Sequence, residues 1–246
     1  MSNHQSEIER YLANGASSVV EYIAAQPEQD RLEIHGLAQR LLSGRDAKEK
    51  NLDEYIVVAR AGIAEALGRS EHEADADRAR ALLDQANIFS FNLLADLADC
   101  WPGEGTRPER RHFEEGLRAA ENCIGWREIL AKPPGRKAMA WWGKGMHLLS
   151  LGRLEEATEA FRHTVALVMP EGAAPDATST DDQLLYSGYL AIAEALTGDE
   201  RARIRYEAII GALQQQRADE STREDAEFCI AQLRTVEQRY GAGKRI

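Results

Sequence analysis

Residues 140–161 read Ala140-Trp141-Trp142-Gly143-Lys144-Gly145-Met146-His147-Leu148-Leu149-Ser150-Leu151-Gly152-Arg153-Leu154-Glu155-Glu156-Ala157-Thr158-Glu159-Ala160-Phe161. Apolar residues recur here at three- and four-residue steps, the period of a helix face. Gly152 interrupts the run and is a natural helix end. The spacing predicts one helix over 137–151 and a second over 153–168, folded back on each other. Two antiparallel helices approach closely only where small residues sit at the crossing. Gly145 and Ala157 are those small residues. Trp141, Leu148, Leu154 and Phe161 fill the space around them.

The spacing resembles a tetratricopeptide (TPR) repeat, a two-helix unit with a period of about 34 residues. Trp141, Gly145, Leu148, Gly152, Leu154, Ala157 and Phe161 carry the match, and Met169-Pro170 closes the unit. Looser copies flank it. Upstream, Phe91, Ala95 and Ala98 parallel Trp141, Gly145 and Leu148, while Phe113, Gly116, Ala120 and Cys123 parallel the second helix. Downstream, Ser187, Ala191 and Gly198-Asp199 parallel Trp141, Gly145 and Gly152-Arg153. The copies stand further apart than the family period, with the excess in the loop-like segments 101–107, 131–136 and 170–182. The resemblance implies an all-α, TPR-like, right-handed stack of antiparallel helix hairpins, an α-solenoid. On this reading 1–246 is a single helical domain. Irregular helices occupy 1–85, TPR-like repeats 86–216 and a C-terminal capping helix 217–240. One hairpin buries too little surface to stand alone, so such units stack.

The rest of the chain carries the same helical period. Helices are expected over 5–26 (divided near Gly15 and ended by Pro27), from Asp30 as a cap to Gly44, and over 52–67 with Gly68 as the stop. An acidic connector, 71–77, precedes a long helix over 76–100. Breaks at Pro102-Gly103, Gly105 and Pro133-Pro134-Gly135 bound a helix over 108–130. Further helices are expected over 181–197 (capped by Thr180 or Asp181), 199–216 and 221–240, with a frayed tail over 241–246.

The 246 residues are 43% hydrophobic and 29% charged, which excludes disorder of the whole chain. No apolar run approaches the roughly 20 residues of a membrane span. The net charge of −11 disfavours a general nucleic-acid binder. Charge is uneven, however: nine basic residues against five acidic ones lie between 107 and 144. Arg127, Lys132, Arg136, Lys137 and Lys144 belong to this basic patch, which suits an acidic partner. Its structural reading is a solvated helix face. Cys100, Cys123 and Cys229 have no close spacing and fit a reducing, cytoplasmic setting. The N-terminal residues lack the basic start and apolar core of a signal peptide.

No phosphate loop, dinucleotide fingerprint, zinc-protease or serine-hydrolase motif occurs. His72 among Glu71, Glu73, Asp75 and Asp77 reads as an acidic linker rather than a cation site. His112 reads as a helix surface. No cofactor, metal ligand or catalytic residue is assigned, and no enzymatic activity is expected. The expected function is a non-catalytic protein–protein interaction module. By the family resemblance, the first-helix face lines a concave groove that holds a peptide or helical segment of a partner. Trp142 and Met146 share that face, Asn92 and Asp96 join it through the upstream copy, and Tyr189 and Ile192 continue it. Trp141 is assigned to the core. The alternative is a ligand- or peptide-responsive regulatory protein on the same scaffold. Self-association is a further expectation, because the end of a repeat stack exposes apolar surface.

Overall fold

The computed structural model describes residues 3–44, 51–103 and 106–241. These form eleven α-helices and no strand among the described residues. The chain divides into two compact units, Met1–Leu97 with Glu104–Ala131, and Ala98–Gly103 with Lys132–Ile246. The short segment Ala98–Gly103 therefore belongs to the second unit, although it lies in sequence between two helices of the first.

The first unit holds α1 (Asn3–Leu12), α2 (Ala16–Ala24), α3 (Glu28–Ser43), α4 (Leu52–His72), α5 (Ala76–Asp96) and α6 (Arg110–Ile129). Gly15, with φ 91°, separates α1 from α2. Ile8, Val19, Ile23, Ile34, Leu42, Val58, Phe89 and Leu94 form its core. α4 and α5 run antiparallel. Ser70 Oγ donates to the Ala79 carbonyl at one end of the pair, and Tyr55 OH donates to Asp96 at the other. α5 and α6 are likewise antiparallel, with Arg80 donating to the carbonyls of Ile129 and Leu130, and Ser90 Oγ to that of Ala119.

The second unit holds α7 (Pro134–Ser150), α8 (Leu154–Val168), α9 (Asp181–Leu196), α10 (Glu200–Arg217) and α11 (Arg223–Gly241). Residues 140–168 fold back on themselves. A Cβ built on Gly145 would lie 2.6 Å from the Phe161 ring, so only glycine admits that ring. Gly152, with φ 76°, makes the turn. Its N–H donates to the Leu149 carbonyl and that of Arg153 to Leu148, a Schellman closure. α9 ends in the same way. Gly198 has φ 102°, its N–H donates to Ala195, and the Asp199 N–H donates to Glu194. Thr180 caps α9 in a reciprocal box with Gln183.

Helix boundaries differ from the sequence expectation where local signals compete. α4 runs through Gly68 to His72, because that glycine stays helical and its Cβ position faces open space. α3 starts at Glu28 on Pro27, leaving Asp30 inside the first turn. α5 ends at Asp96, and Asp75 caps it by accepting from the Arg78 N–H. α6 starts at Arg110, two residues beyond Pro108. Its cap uses a histidine: the Glu109 N–H donates to His112 Nδ1 at 2.8 Å, and His112 Nε2 lies 3.1 Å from Asp53. His112 is thus a buried cap rather than a helix-surface residue. The expected frayed tail falls mostly on 242–246 and the Gly105 break on 104–105, both outside the described residues.

His35 on α3 is buried, and its ring carbon lies 3.3 Å from the Cβ position of Gly62 on α4. Burial, with Arg31 adding to it, pushes its pKa down to about 4. Protonation therefore favours the unfolded chain. Stability is full above the unfolded-state value near 6.5 and falls as pH drops towards about 4, by roughly 3 kcal/mol from this group. Urea midpoints taken between pH 7.5 and 4 should fall less in His35→Leu than in the native chain. Parallel curves would remove His35 as the cause.

Candidate functional site

α3, α4 and α5 enclose an open cleft of about 430 Å³ in the first unit. Its position follows from α5, where Asn92 and Asp96 stand four residues apart and hence on one face. Asp96 is the last residue of the helix. Ser43 Oγ donates to one of its carboxylate oxygens at 2.8 Å, and Tyr55 OH to the other at 2.5 Å. Tyr55 is fully buried. Burial first, and then the Asp96 carboxylate, push the phenol pKa up, so the hydroxyl stays a donor. Asn92 Nδ2 donates to Gln39 Oε1 at 3.2 Å, and Gln39 Nε2 donates to the Phe89 carbonyl at 3.0 Å. Arg40 is exposed beside these groups, and its guanidinium forms no ion pair with a described residue.

Every fixed polar group in this cleft is already oriented by a neighbour. Tyr55 and Ser43 hold the carboxylate, and Gln39 holds the Asn92 amide. Such an arrangement presents a preordered polar wall and one exposed cation. These groups can meet the polar atoms of a ligand. Arg40, Ser43, Gln39 and Tyr55 escaped the sequence reading; Gln39 and Tyr55 are buried. Both sit within apolar helical stripes and look like interior positions, which they are; their polar ends happen to reach the cleft.

The other four groove candidates lie elsewhere. Trp142, Met146, Tyr189 and Ile192 are interior residues of the second unit. Tyr189 stacks on Phe161 at 5.7 Å, contacts the Trp142 ring at 6.3 Å and donates to Gln232 Oε1 at 2.7 Å. Trp142 thus enters the core. Trp141, expected there, stays half-buried with His163 stacked at 4.4 Å and the Lys144 ammonium 5.5 Å from its ring. Tyr189 of α9 lies against the Trp142 ring, and Trp142 is the enclosed tryptophan of the two.

The basic residues also separate. Arg127 is buried in the first unit, where Nε donates to Asn87 Oδ1 at 2.9 Å and the guanidinium lies over Phe91. It is a packing residue, not part of a surface. Lys132, Arg136 and Lys137 surround the start of α7 in the second unit. Comparison with protein-family models, curated proteins and solved structures finds no match.

A second cleft, of about 520 Å³, lies among Glu28, Arg31, Glu65, Arg69 and His72. Its charges are largely spent on each other: Arg31 faces Glu65, Arg69 faces Glu28, and Arg78 faces Glu73. His72 bonds back to the Gly68 carbonyl at 2.7 Å. Among the described residues no group of three or more His, Cys, Asp and Glu side chains is placed to hold a metal ion. No described helix is long and apolar enough to cross a membrane. Burial pushes the Cys100 and Cys229 thiols up to about 12 and Cys123 to about 11, so none is a ready thiolate.

Proposed function

We propose that the chain is a non-catalytic interaction module built from TPR-like hairpins, and that the α3–α5 cleft receives a peptide or helical segment of a partner protein. The observation carrying this reading is the placement of Asn92 and Asp96. Both residues, expected on the groove face by the repeat pattern, line one open cleft together with Arg40, which forms no ion pair with a described residue. The repeat reading draws support from packing. Several helices contact the next but one as well as the next: α1 with α3, α2 with α4, α3 with α5 and α9 with α11. The twin Schellman turns at Gly152 and Gly198 add to it. Right-handed stacking of hairpins within each unit is part of the proposal.

The mechanism is preorganised recognition. A partner backbone or side chain would meet a polar wall that is ordered before binding, so little side-chain freedom is lost on association. Arg40 would engage an acidic group, giving a salt-dependent contribution. Selection of a random peptide library on the immobilised full chain tests this. We expect clones whose affinity falls about tenfold or more in Arg40→Glu and Asn92→Leu while the far-UV circular dichroism is unchanged. Failure to select any clone that responds to these two substitutions would sink the reading.

A further inference from the structure

Trp101 and Phe228 leave large apolar surfaces open on the second unit, 39% and 49% exposed. Their rings lie 6.3 Å apart and tilted by 41°. Neither hangs on a loose support. Trp101 follows Asp99 and Cys100, both buried, and Asp99 is bonded to Arg239 at 2.7 Å. Phe228 stands on α11 between the buried residues Ala226 and Cys229. The exposed pair is therefore a fixed feature of the surface.

Its surroundings are acidic. Glu224 and Asp225 precede Phe228 by one helical turn and share its face. Asp181 and Asp182 open α9 beside them. Burial first, and then repulsion from Asp225 and Asp182, push the Asp181 pKa up. All three carboxylates also contribute to the raised pKa of Cys229. None of the four acids forms an ion pair with a described residue. Of the arginines on either side, Arg217 pairs with Glu227 at 2.8 Å, and Arg223 Nε donates to the Arg217 carbonyl.

We propose that this patch docks a short cationic amphipathic segment of a partner protein, with an apolar side chain laid on Trp101 and Phe228 and Lys or Arg side chains against the flanking acids. Charge complementarity selects this occupant. A second copy packed patch against patch about a two-fold axis would bring two acidic clusters together. An anionic membrane or a nucleic acid would be repelled by the same groups. The proposal goes beyond the α3–α5 cleft and stands on a different unit.

Fluorescence anisotropy of a labelled amphipathic peptide of about four helical turns, with Leu and Phe on one face and Lys and Arg on the other, tests it. The full chain should bind this peptide, more weakly as salt rises. Binding should drop about tenfold or more in Phe228→Ala and in Asp225→Lys. Arg40→Glu and Asn92→Leu should leave it unchanged, which separates this site from the cleft. Equal affinity for a counterpart peptide carrying Glu in place of Lys and Arg, insensitivity to Phe228→Ala, or no binding of the cationic peptide would each overturn the proposal. So would sedimentation showing a dimer that Phe228→Ala disperses.

Discussion

Phe161→Ala should cost the second unit about 4 kcal/mol, read as a lowered urea midpoint. Phe161 is fully buried, stacked on Tyr189 and seated on the bare backbone of Gly145. Removing the ring leaves a void that α7, α8 and α9 cannot close without shifting together. The same contact predicts a reversal of sign. Gly145→Ala in the native chain places a methyl group 2.6 Å from the ring, and Tyr189 blocks the ring's retreat. That substitution should destabilise by about 1–3 kcal/mol. In the Phe161→Ala background the methyl group enters empty space, and the gain in helix propensity of about 1 kcal/mol is left to act. Gly145→Ala should then stabilise. Additive effects in this double-mutant cycle would mean that the hairpin crossing is not where the structure places it.

Arg239→Ala should cost about 3–5 kcal/mol, because it strands a buried charge. The Asp99 side chain is 3% exposed and that of Arg239 18% exposed, with 2.7 Å between them. Tyr240 OH donates to the other Asp99 oxygen at 3.1 Å, and Ser150 Oγ meets Tyr240 OH at 2.7 Å. Without the guanidinium, the buried Asp99 loses its ion pair to α11, and the end of that helix loosens. Amide exchange should accelerate over the last two turns of α11. The double variant Asp99→Asn with Arg239→Met should recover most of the loss, since no charge is then buried. If Arg239→Ala stays within about 1 kcal/mol of the native chain, the pair is solvated in solution and does not anchor the helix.

The α7–α8 hairpin was legible because glycine and alanine at a helix crossing leave a pattern that local spacing reveals. Gly145, Gly152 and Ala157 announce where two rods meet and where the chain turns. The Thr180 cap was legible for the same reason: its partner lies within three residues. Asn92 and Asp96 could be placed on one face by counting, because a helix repeats every 3.6 residues. Gly68 misled because a glycine stops a helix only if the chain turns there, and nothing local forces that turn. His112 was opaque for a related reason. Its capping role depends on Asp53, which is 59 residues away in sequence.

The amino-acid sequence by itself thus determined the helical class, the approximate helix limits and the fold-back at Gly152, all of which depend on neighbours within about a turn. Only the tertiary structure decided which helix faces were covered. It enclosed Trp142 beside Tyr189 while leaving Trp141 half-open, and withdrew Arg127 into the first unit. It joined Ser43, Tyr55 and Asp96 from three helices and set Trp101 beside Phe228. Amphipathic periodicity states that a face must be buried but not against what. That choice rests on packing between segments tens of residues apart, where shape and volume rather than local preference select the partner.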